Sequence, residues 1–318
     1  MKITVIGCGR WGSFIAWYLD KIGHDVTVYG LSDAESFIQL RDTRTNGMIT
    51  YPESIKLTTD ISCVNDCQTV IISIGSQGLR SLMTQIKELG VKNKNFVLCM
   101  KGIEIGTGCR LSEITSEYID DTCTVSVWIG PGHVQEFAKG IPNCMVIDSN
   151  SEEAKNLLVK EFSSSVIRFY YGSDLIGNEI GAASKNVIGI AAGMLDGLGL
   201  SSLKGALMSR GTREISRLIE AMGGNPLSAY GLCHLGDYEA TVFSQYSHNR
   251  RFGEMFVNGE TFGQLAEGYY TAKAMMFLSE KYGVELPICT AVYKMLYENA
   301  DKNETLNSLF SRSLKQEF

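Results

Sequence analysis

The sequence predicts an N-terminal α/β domain built on a doubly wound, mostly parallel sheet, followed by an all-α C-terminal domain. Two observations predict this class. Short β-branched runs alternate with helical patterns in the first half of the 318 residues, and such alternation is typical of βαβ units. After Gly172 no strand-like alternation returns, and only helical periodicity remains. We therefore expect domains at residues 1–172 and 173–318.

The individual elements follow from the same periodicities. Runs rich in Val, Ile, Thr and aromatic residues predict strands at residues 3–6, 25–29, 69–74, 96–100, 124–129, 144–148 and 166–171. Between them, helical spacing predicts helices at residues 10–22, 77–89 and 152–162. The second half predicts helices at residues 174–198, 204–222, 260–282 and 287–298, the last with Pro287 at its first position. The polar tail from Asp301 is expected to be a surface helix with a frayed end.

Composition and charge exclude several classes of protein. Hydrophobic residues make up 44% and charged residues 20%, as in an ordinary globular protein. The net charge of −6 argues against general binding to nucleic acid or anionic membranes, and no apolar run is long enough for membrane insertion. Too few residues precede Cys8 for a secretory signal, so we expect a cytoplasmic chain that starts in its first strand. The nine cysteines are odd in number and scattered, which predicts reduced thiols and no metal site.

A glycine-rich turn follows the first strand and opens the first helix. Gly7, Gly9 and Gly12, with Arg10 and Trp11 between the last two, form a G-x-G-x-x-G pattern. In this context the pattern predicts a dinucleotide site in a Rossmann-type domain. The first Gly permits the turn, the second lets the pyrophosphate approach, and the third lets the helix pack on the strand.

The end of the second strand does not choose between NAD and NADP. An NAD site usually has an acid there, and an NADP site an Arg. The segment that starts at Val28 continues with Tyr29, Gly30 and Leu31, so neither residue type stands at the strand end. We therefore expect NAD or NADP as the cofactor.

Lys185 lies in an otherwise apolar helix of small residues. Gly181, Gly189 and Ala192 lie four before, four after and seven after it, so they share its face. Glycine costs about 1 kcal/mol per helix position relative to Ala. Two interpretations explain that cost. Either a ligand approaches the backbone beside a desolvated lysine that acts as general acid, or two helices pack closely and the lysine reaches solvent.

Six segments of the chain, taken together, resemble a known family. From Met1 to about Tyr297 the sequence is similar to the NAD(P)-dependent glycerol-3-phosphate dehydrogenases of the bacterial type. The resemblance rests on the order and spacing of the glycine turn and five further motifs, namely Lys101-Gly102-Ile103-Glu104, Gly130-Pro131, Lys185-Asn186-Val187-Ile188, Leu235-Gly236-Asp237 and Ser247-His248-Asn249-Arg250-Arg251-Phe252-Gly253.

The resemblance implies an activity and a set of site residues. The family reduces dihydroxyacetone phosphate to sn-glycerol 3-phosphate, which feeds glycerophospholipid synthesis, and we expect a homodimer. Lys185 matches the catalytic lysine, acting as general acid/base, and Asp237 matches an active-site acid. Lys101 matches a lysine at the junction of cofactor and substrate, and Glu267 matches a cofactor contact. The other matched substrate-binding positions are Gly130, Ser247, His248, Asn249 and Arg250.

Two departures from the family pattern leave the substrate open. His248 stands where the family has an Arg that grips phosphate, and histidine lacks the bidentate fork and is mostly neutral near pH 7. Gly132 stands where Thr or Ser is usual. The leading hypothesis is a glycerol-3-phosphate dehydrogenase. A second is a dehydrogenase of another phosphorylated ketone or hydroxy compound, and a third is a non-catalytic dinucleotide sensor, although Lys101, Lys185 and Asp237 are all present.

Overall fold

The chain forms two compact units in this computed structural model, which describes residues 1–314 and 316–317. The first unit comprises Met1–Lys101 and Cys109–Glu179. The second comprises Gly102–Gly108 and the chain from Ile180 onwards. The units divide at Glu179, whereas the sequence pattern predicts a boundary at residue 172. The segment Gly102–Gly108 belongs to the second unit, and its sequence has no periodicity from which this could be predicted.

The first unit is built on an eight-stranded sheet. Its spatial order is β3-β2-β1-β4-β5-β6-β7-β8, and every neighbouring pair is parallel except β6 and β7. The predicted doubly wound, mostly parallel sheet is thus confirmed. The strands are β1 Lys2–Ile6, β2 Asp25–Tyr29, β3 Lys56–Thr58, β4 Thr69–Ile72, β5 Asn95–Leu98, β6 Thr124–Ile129, β7 Asn143–Ser149 and β8 Ile167–Tyr171.

Helices cover the sheet and bury its strands. The strands β1, β4 and β5 are almost entirely buried, as their mostly apolar sequences require. Phe14, Ile15 and Leu19 of the first helix join the same hydrophobic core. The helices of this part of the chain are α1 Arg10–Lys21, α2 Glu35–Thr43, α3 Leu79–Glu88, α4 Leu111–Ser116, α5 Val134–Ala138 and α6 Glu152–Phe162.

After β8 the described chain forms six further α-helices and no strand. They are α7 Leu175–Gly197, α8 Lys204–Ala221, α9 His248–Val257, α10 Glu267–Tyr282, α11 Pro287–Glu298 and α12 Lys302–Phe310. The all-α second half is confirmed, and so is the helix after Asp301. The prediction of a helix over residues 260–282 is wrong at its start, because α10 begins only at Glu267. Helix α9 was not predicted.

Glycines on α7 allow α9 to cross it at backbone distance. A Cβ added at Gly193 would lie 1.8 Å from the carbonyl oxygen of Arg250, and one at Gly197 would lie 2.4 Å from a methyl of Val257. On α9, a Cβ at Gly253 would lie 2.1 Å from the Ile190 oxygen. Close helix packing therefore explains these glycines.

The described residues hold no membrane-crossing helix and no metal cluster. No helix among them is both long enough and apolar enough to span a bilayer. No three His, Cys, Asp or Glu side chains among them are grouped as metal ligands. All nine cysteines are described, and each is a free thiol.

Candidate active site

The glycine turn between β1 and α1 has a different physical reason for each glycine. Gly7 has φ of +112°, and an added Cβ there would lie 2.2 Å from the Ser73 carbonyl oxygen. A Cβ at Gly12 would lie 2.3 Å from the Gly7 oxygen. A Cβ at Gly9, by contrast, would meet nothing within 4 Å. The fold therefore requires the first and third glycines, and the second faces open space, as the predicted approach of a pyrophosphate requires.

The start of α1 is suited to an anion. Gly9 is the N-cap residue and no described side chain caps the helix, so its first N–H groups have no side-chain acceptor. Trp11 packs on Phe14 and Phe137, while Arg10 is exposed. An uncapped helix start beside an open glycine is the arrangement that binds a dinucleotide pyrophosphate.

The end of β2 has no space for a larger side chain at Gly30. An added Cβ there would lie 2.4 Å from the Phe37 ring and 2.6 Å from the Cys8 sulfur. Burial raises the pKa of the Cys8 thiol to about 12, so this sulfur is a neutral packing group. The next residue, Leu31, is 61% exposed. Packing thus accounts for the absence of a larger side chain at Gly30, whereas it places no such restriction on the exposed Leu31.

Lys185 and Asp237 form a buried ion pair in the second unit. Lys185 Nζ lies 2.6 Å from Asp237 Oδ2, and the two side chains are 8% and 1% exposed. The same ammonium donates to Thr241 Oγ1 at 2.7 Å, and the Thr241 hydroxyl donates to the Asp237 carbonyl oxygen at 2.7 Å. The Lys185 side chain is nearly buried and its ammonium binds internal partners, so the interpretation that this lysine extends to solvent is wrong. The Nζ atom is fixed from two sides, as a proton donor should be.

A neutral histidine, His234, connects the two segments that carry Lys185 and Asp237. His234 Nδ1 lies 2.8 Å from the Gly181 carbonyl oxygen, which can only accept, so Nδ1 carries the proton. Its Nε2 then accepts from the Tyr238 hydroxyl at 2.7 Å. Burial lowers the pKa of His234 to about 4 and raises that of Tyr238. The histidine joins α7, one turn before Lys185, to the segment that carries Asp237.

The segment at the start of α9 brings Asn249 beside the residue that follows Lys185. Asn249 Nδ2 donates to Asn186 Oδ1 at 3.1 Å, and Asn249 Oδ1 accepts from the Gly268 amide at 2.9 Å. Ser247 is the N-cap of α9 and accepts from the Arg250 amide. Asn249 is thus joined by a hydrogen bond to Asn186, the residue that follows Lys185.

His248 and Arg250 occupy different surroundings. His248 Nδ1 lies 3.3 Å from the Leu265 carbonyl oxygen, and its ring meets that of Phe262 edge-on. The Arg250 guanidinium donates to Asp196 at 3.0 Å and to Glu254 at 2.8 Å. The structure therefore ties Arg250 to two carboxylates, and its predicted contact with substrate stays a prediction.

Two further predicted residues meet in the first unit. Lys101 Nζ donates to the Gly130 carbonyl oxygen at 2.8 Å. Gly132 has φ of +138°, and an added Cβ would lie 2.3 Å from the Phe137 ring. A Thr or Ser therefore does not fit here, and packing against Phe137 explains this departure. Glu267 is the first residue of α10 in the second unit.

Sequence reasoning missed Thr241, His234 and Tyr238. Each bonds across a helical turn or between segments far apart in sequence, where periodicity gives no signal. The spacing of four between Asp237 and Thr241, and between His234 and Tyr238, was available as a weak one.

A doubly wound sheet with an open glycine turn is typical of dinucleotide-binding domains, and a buried lysine held by an aspartate is a candidate proton donor. Comparison with known proteins gives the family. Models described as NAD-dependent glycerol-3-phosphate dehydrogenase N-terminus and C-terminus match residues 2–155 and 174–307.

Whole relatives agree with these models. Glycerol-3-phosphate dehydrogenase (NAD(P)+) of Thermoanaerobacter sp. is 36% identical over 329 residues, covering 100% of this chain and 99% of the relative. That of Pelodictyon phaeoclathratiforme is 35% identical over 332 residues, covering 100% and 99%. The crystal structure of glycerol-3-phosphate dehydrogenase from Coxiella burnetii superposes with a TM-score of 0.91 at 27% identity, covering 98% and 99%. This chain belongs to the NAD-dependent glycerol-3-phosphate dehydrogenase family.

Proposed function

We propose that this protein interconverts dihydroxyacetone phosphate and sn-glycerol 3-phosphate with NAD(H) or NADP(H). Family membership over the whole chain supports the reaction. The observation that carries the chemistry is the buried Lys185 ammonium, held 2.6 Å from Asp237 and 2.7 Å from Thr241.

The glycine turn supports the choice of cofactor class. Gly7, Gly9 and Gly12 would hold the pyrophosphate at the start of α1, with the N–H groups of Arg10 and Trp11 facing it. When bound, the nicotinamide supplies or accepts a hydride. Lys101 and Glu267 are proposed as further contacts on the basis of the resemblance.

Lys185 supplies the proton that ketone reduction requires. As the carbonyl oxygen becomes an alkoxide, the Lys185 ammonium stabilises the negative charge and gives up a proton to the oxygen. In the reverse direction the neutral amine accepts the hydroxyl proton. Asp237 and Thr241 keep Nζ in one position through both steps, so these two residues orient the acid rather than exchange the proton.

The substrate phosphate is proposed to contact the start of α9. Ser247, His248 and Asn249 lie at this helix end, where N–H groups and the helix dipole favour an anion. Gly130 and Arg250 are carried over from the resemblance alone, and Arg250 would have to shift from Asp196 and Glu254 to reach a phosphate.

The decisive experiment is a spectrophotometric assay of dihydroxyacetone phosphate reduction with NADH and with NADPH. Dihydroxyacetone without phosphate is the matched control, and we expect it to react far more slowly because no phosphate contact holds it. Absence of turnover with both cofactors would contradict the proposal. Turnover of another phosphorylated ketone in its place would favour the alternative substrate. His248 is the remaining observation behind that alternative, since packing explains Gly132.

The setting of the reaction is also a proposal. The resemblance suggests a cytoplasmic homodimer that feeds glycerophospholipid synthesis. The acidic net charge of −6 supports a partner that is a small molecule rather than a nucleic acid. Size-exclusion chromatography with light scattering tests the dimer.

A further inference from the structure

A cavity of about 820 Å³ lies among the helices of the second unit. Its walls are mainly aliphatic, with Leu195 from α7, Leu207 from α8, Val292 and Met295 from α11, and Leu306 from α12. The volume falls in the range of about 300–1,000 Å³ that small-molecule sites occupy. Its lining among the described residues includes none of Lys185, Asp237, Thr241 and Asn249, so the cavity is distinct from the proposed catalytic group.

One helix supplies positive charge along a side of this cavity. Arg210, Arg213 and Arg217 recur at helical spacing on α8, and all three line it. Arg210 approaches Glu317 only at 3.9 Å between exposed groups, and Arg217 donates to the Glu285 carbonyl oxygen at 3.1 Å. Arg213 is partly buried and has no hydrogen bond or ion pair with the part of the chain that the structure describes.

Two of the four acidic groups in the described lining, Glu214 and Glu285, are already held by other groups. Glu214 accepts from the amides of Ile288 and Cys289 at 2.8 and 3.0 Å, where α11 begins. Glu285 pairs with Arg312 at 2.8 Å. Among the described residues, the lining holds five cationic side chains and four acidic ones, namely Arg210, Arg213, Arg217, Lys302 and Arg312 against Glu214, Glu220, Glu285 and Glu317. Arg213 therefore remains as a cation beside an apolar space.

We propose that this cavity binds an aliphatic monocarboxylate of medium to long chain, with its chain among the leucines and its carboxylate on Arg213. A guanidinium fork matches a carboxylate with two parallel hydrogen bonds. A wholly polar ligand would leave the aliphatic walls unfilled, and a wholly apolar one would leave the Arg213 charge without a partner. The amphipathic anion satisfies both parts of the lining.

Calorimetric titration of the full-length protein with octanoate, decanoate and dodecanoate tests the proposal. Affinity should rise by about fourfold for each added CH₂ while the chain still fits, because each buried methylene contributes a constant increment. Dodecyltrimethylammonium has the same chain and the opposite charge. It should bind at least about tenfold more weakly than dodecanoate, as expected when a charged hydrogen-bonded contact is lost.

Two variants separate the charge from the chain. Arg213→Gln should weaken dodecanoate binding about tenfold or more, whereas Arg168→Gln, at an exposed position of β8, should not change it. Ala206→Phe, at an exposed position of the lining, should weaken all three carboxylates by filling the space. All three variants should keep dehydrogenase activity, which verifies their folding.

Three results would overturn the proposal. One is the absence of carboxylate binding, and another is equal binding of dodecanoate and dodecyltrimethylammonium. The third is dodecanoate binding that neither Arg213→Gln nor Ala206→Phe weakens. If no carboxylate binds and Ala206→Phe converts a dimer to a monomer in light scattering, the cavity belongs to a subunit interface.

Discussion

Replacing Lys185 by Met should separate the catalytic role of the lysine from its structural one. Methionine fills a similar volume without the ammonium. If Lys185 is the proton donor, turnover of dihydroxyacetone phosphate should fall about 10²–10⁴-fold. Cofactor affinity should remain close to that of the unmodified protein, because the glycine turn is unchanged. Titration with NADH and steady-state kinetics measure the two quantities.

The same substitution should also destabilise the protein by a predictable amount. Asp237 is 1% exposed and would lose the ammonium that lies 2.6 Å from it. Removing one partner of a buried pair costs about 3–5 kcal/mol, because the other charge stays buried without compensation. Asp237→Asn in the Lys185→Met background removes that charge. The double variant should therefore recover most of the free energy of unfolding in urea and none of the activity.

A second buried lysine provides the control. Lys155 lies in the first unit and donates to the Gly172 carbonyl oxygen at 2.8 Å and to Glu152 at 2.5 Å. Lys155→Met should lower stability while leaving kcat intact. If Lys185→Met kept more than about a tenth of the turnover, the loss would be too small for a general acid. If the double variant regained activity along with stability, the lysine would be structural.

Three further predictions concern the cofactor, the phosphate and pH. Gly9→Val should fold and lose dinucleotide binding, whereas Gly12→Val should lose stability as well, because only the valine at position 12 clashes in the free protein. If Gly9→Val bound NADH as the unmodified protein does, the glycine turn would be excluded from the cofactor site. His248→Arg should lower the KM for dihydroxyacetone phosphate by up to about tenfold by adding a charge-assisted bond, and an unchanged KM would exclude contact with phosphate. Burial lowers the pKa of His234 to about 4 in the folded protein, whereas an unperturbed histidine has a pKa of about 6.5. As the pH falls below about 6.5, the unfolded chain therefore takes up a proton at this residue before the folded protein does. The stability that the neutral histidine contributes is fully present above about pH 6.5 and is lost as the pH falls toward 4. Urea unfolding should therefore show about 2 kcal/mol of loss between pH 7 and 5 that His234→Asn removes, and an equal loss in the variant would refute this assignment.

Local chemistry decides which parts of the fold the sequence predicted. The glycine turn was predictable because backbone conformation at Gly7 and packing at Gly12 act within a few residues. The long strands and α1 follow equally from periodicity. The three-residue β3 is too short for a periodic signal, and the antiparallel pairing of β6 and β7 depends on the path of the chain rather than on either strand's sequence.

Helix α9 shows how a site obscures its own secondary structure. Its first residues are His248, Asn249 and Arg250, which carry no apolar periodicity because they serve polar contacts. The available signal was Ser247, an N-cap residue whose side chain accepts from the amide of Arg250. The segment at residues 260–266 was predicted to be helical and is not. It continues the apolar pattern of α10 backwards but contains Gly263.

The small residues of α7 serve both close helix packing and the placing of Lys185, which the sequence offered as alternatives. Gly193 and Gly197 admit the backbone of α9, and Gly189 admits the methyl group of Thr241, which a Cβ would approach to 2.7 Å. Each costs about 1 kcal/mol of helix propensity. The close approach that these glycines allow places Asn249 and Thr241 on the face of α7 that carries Lys185. Close helix packing is therefore not an alternative to a functional lysine here, because the packing is what places the polar partners around it.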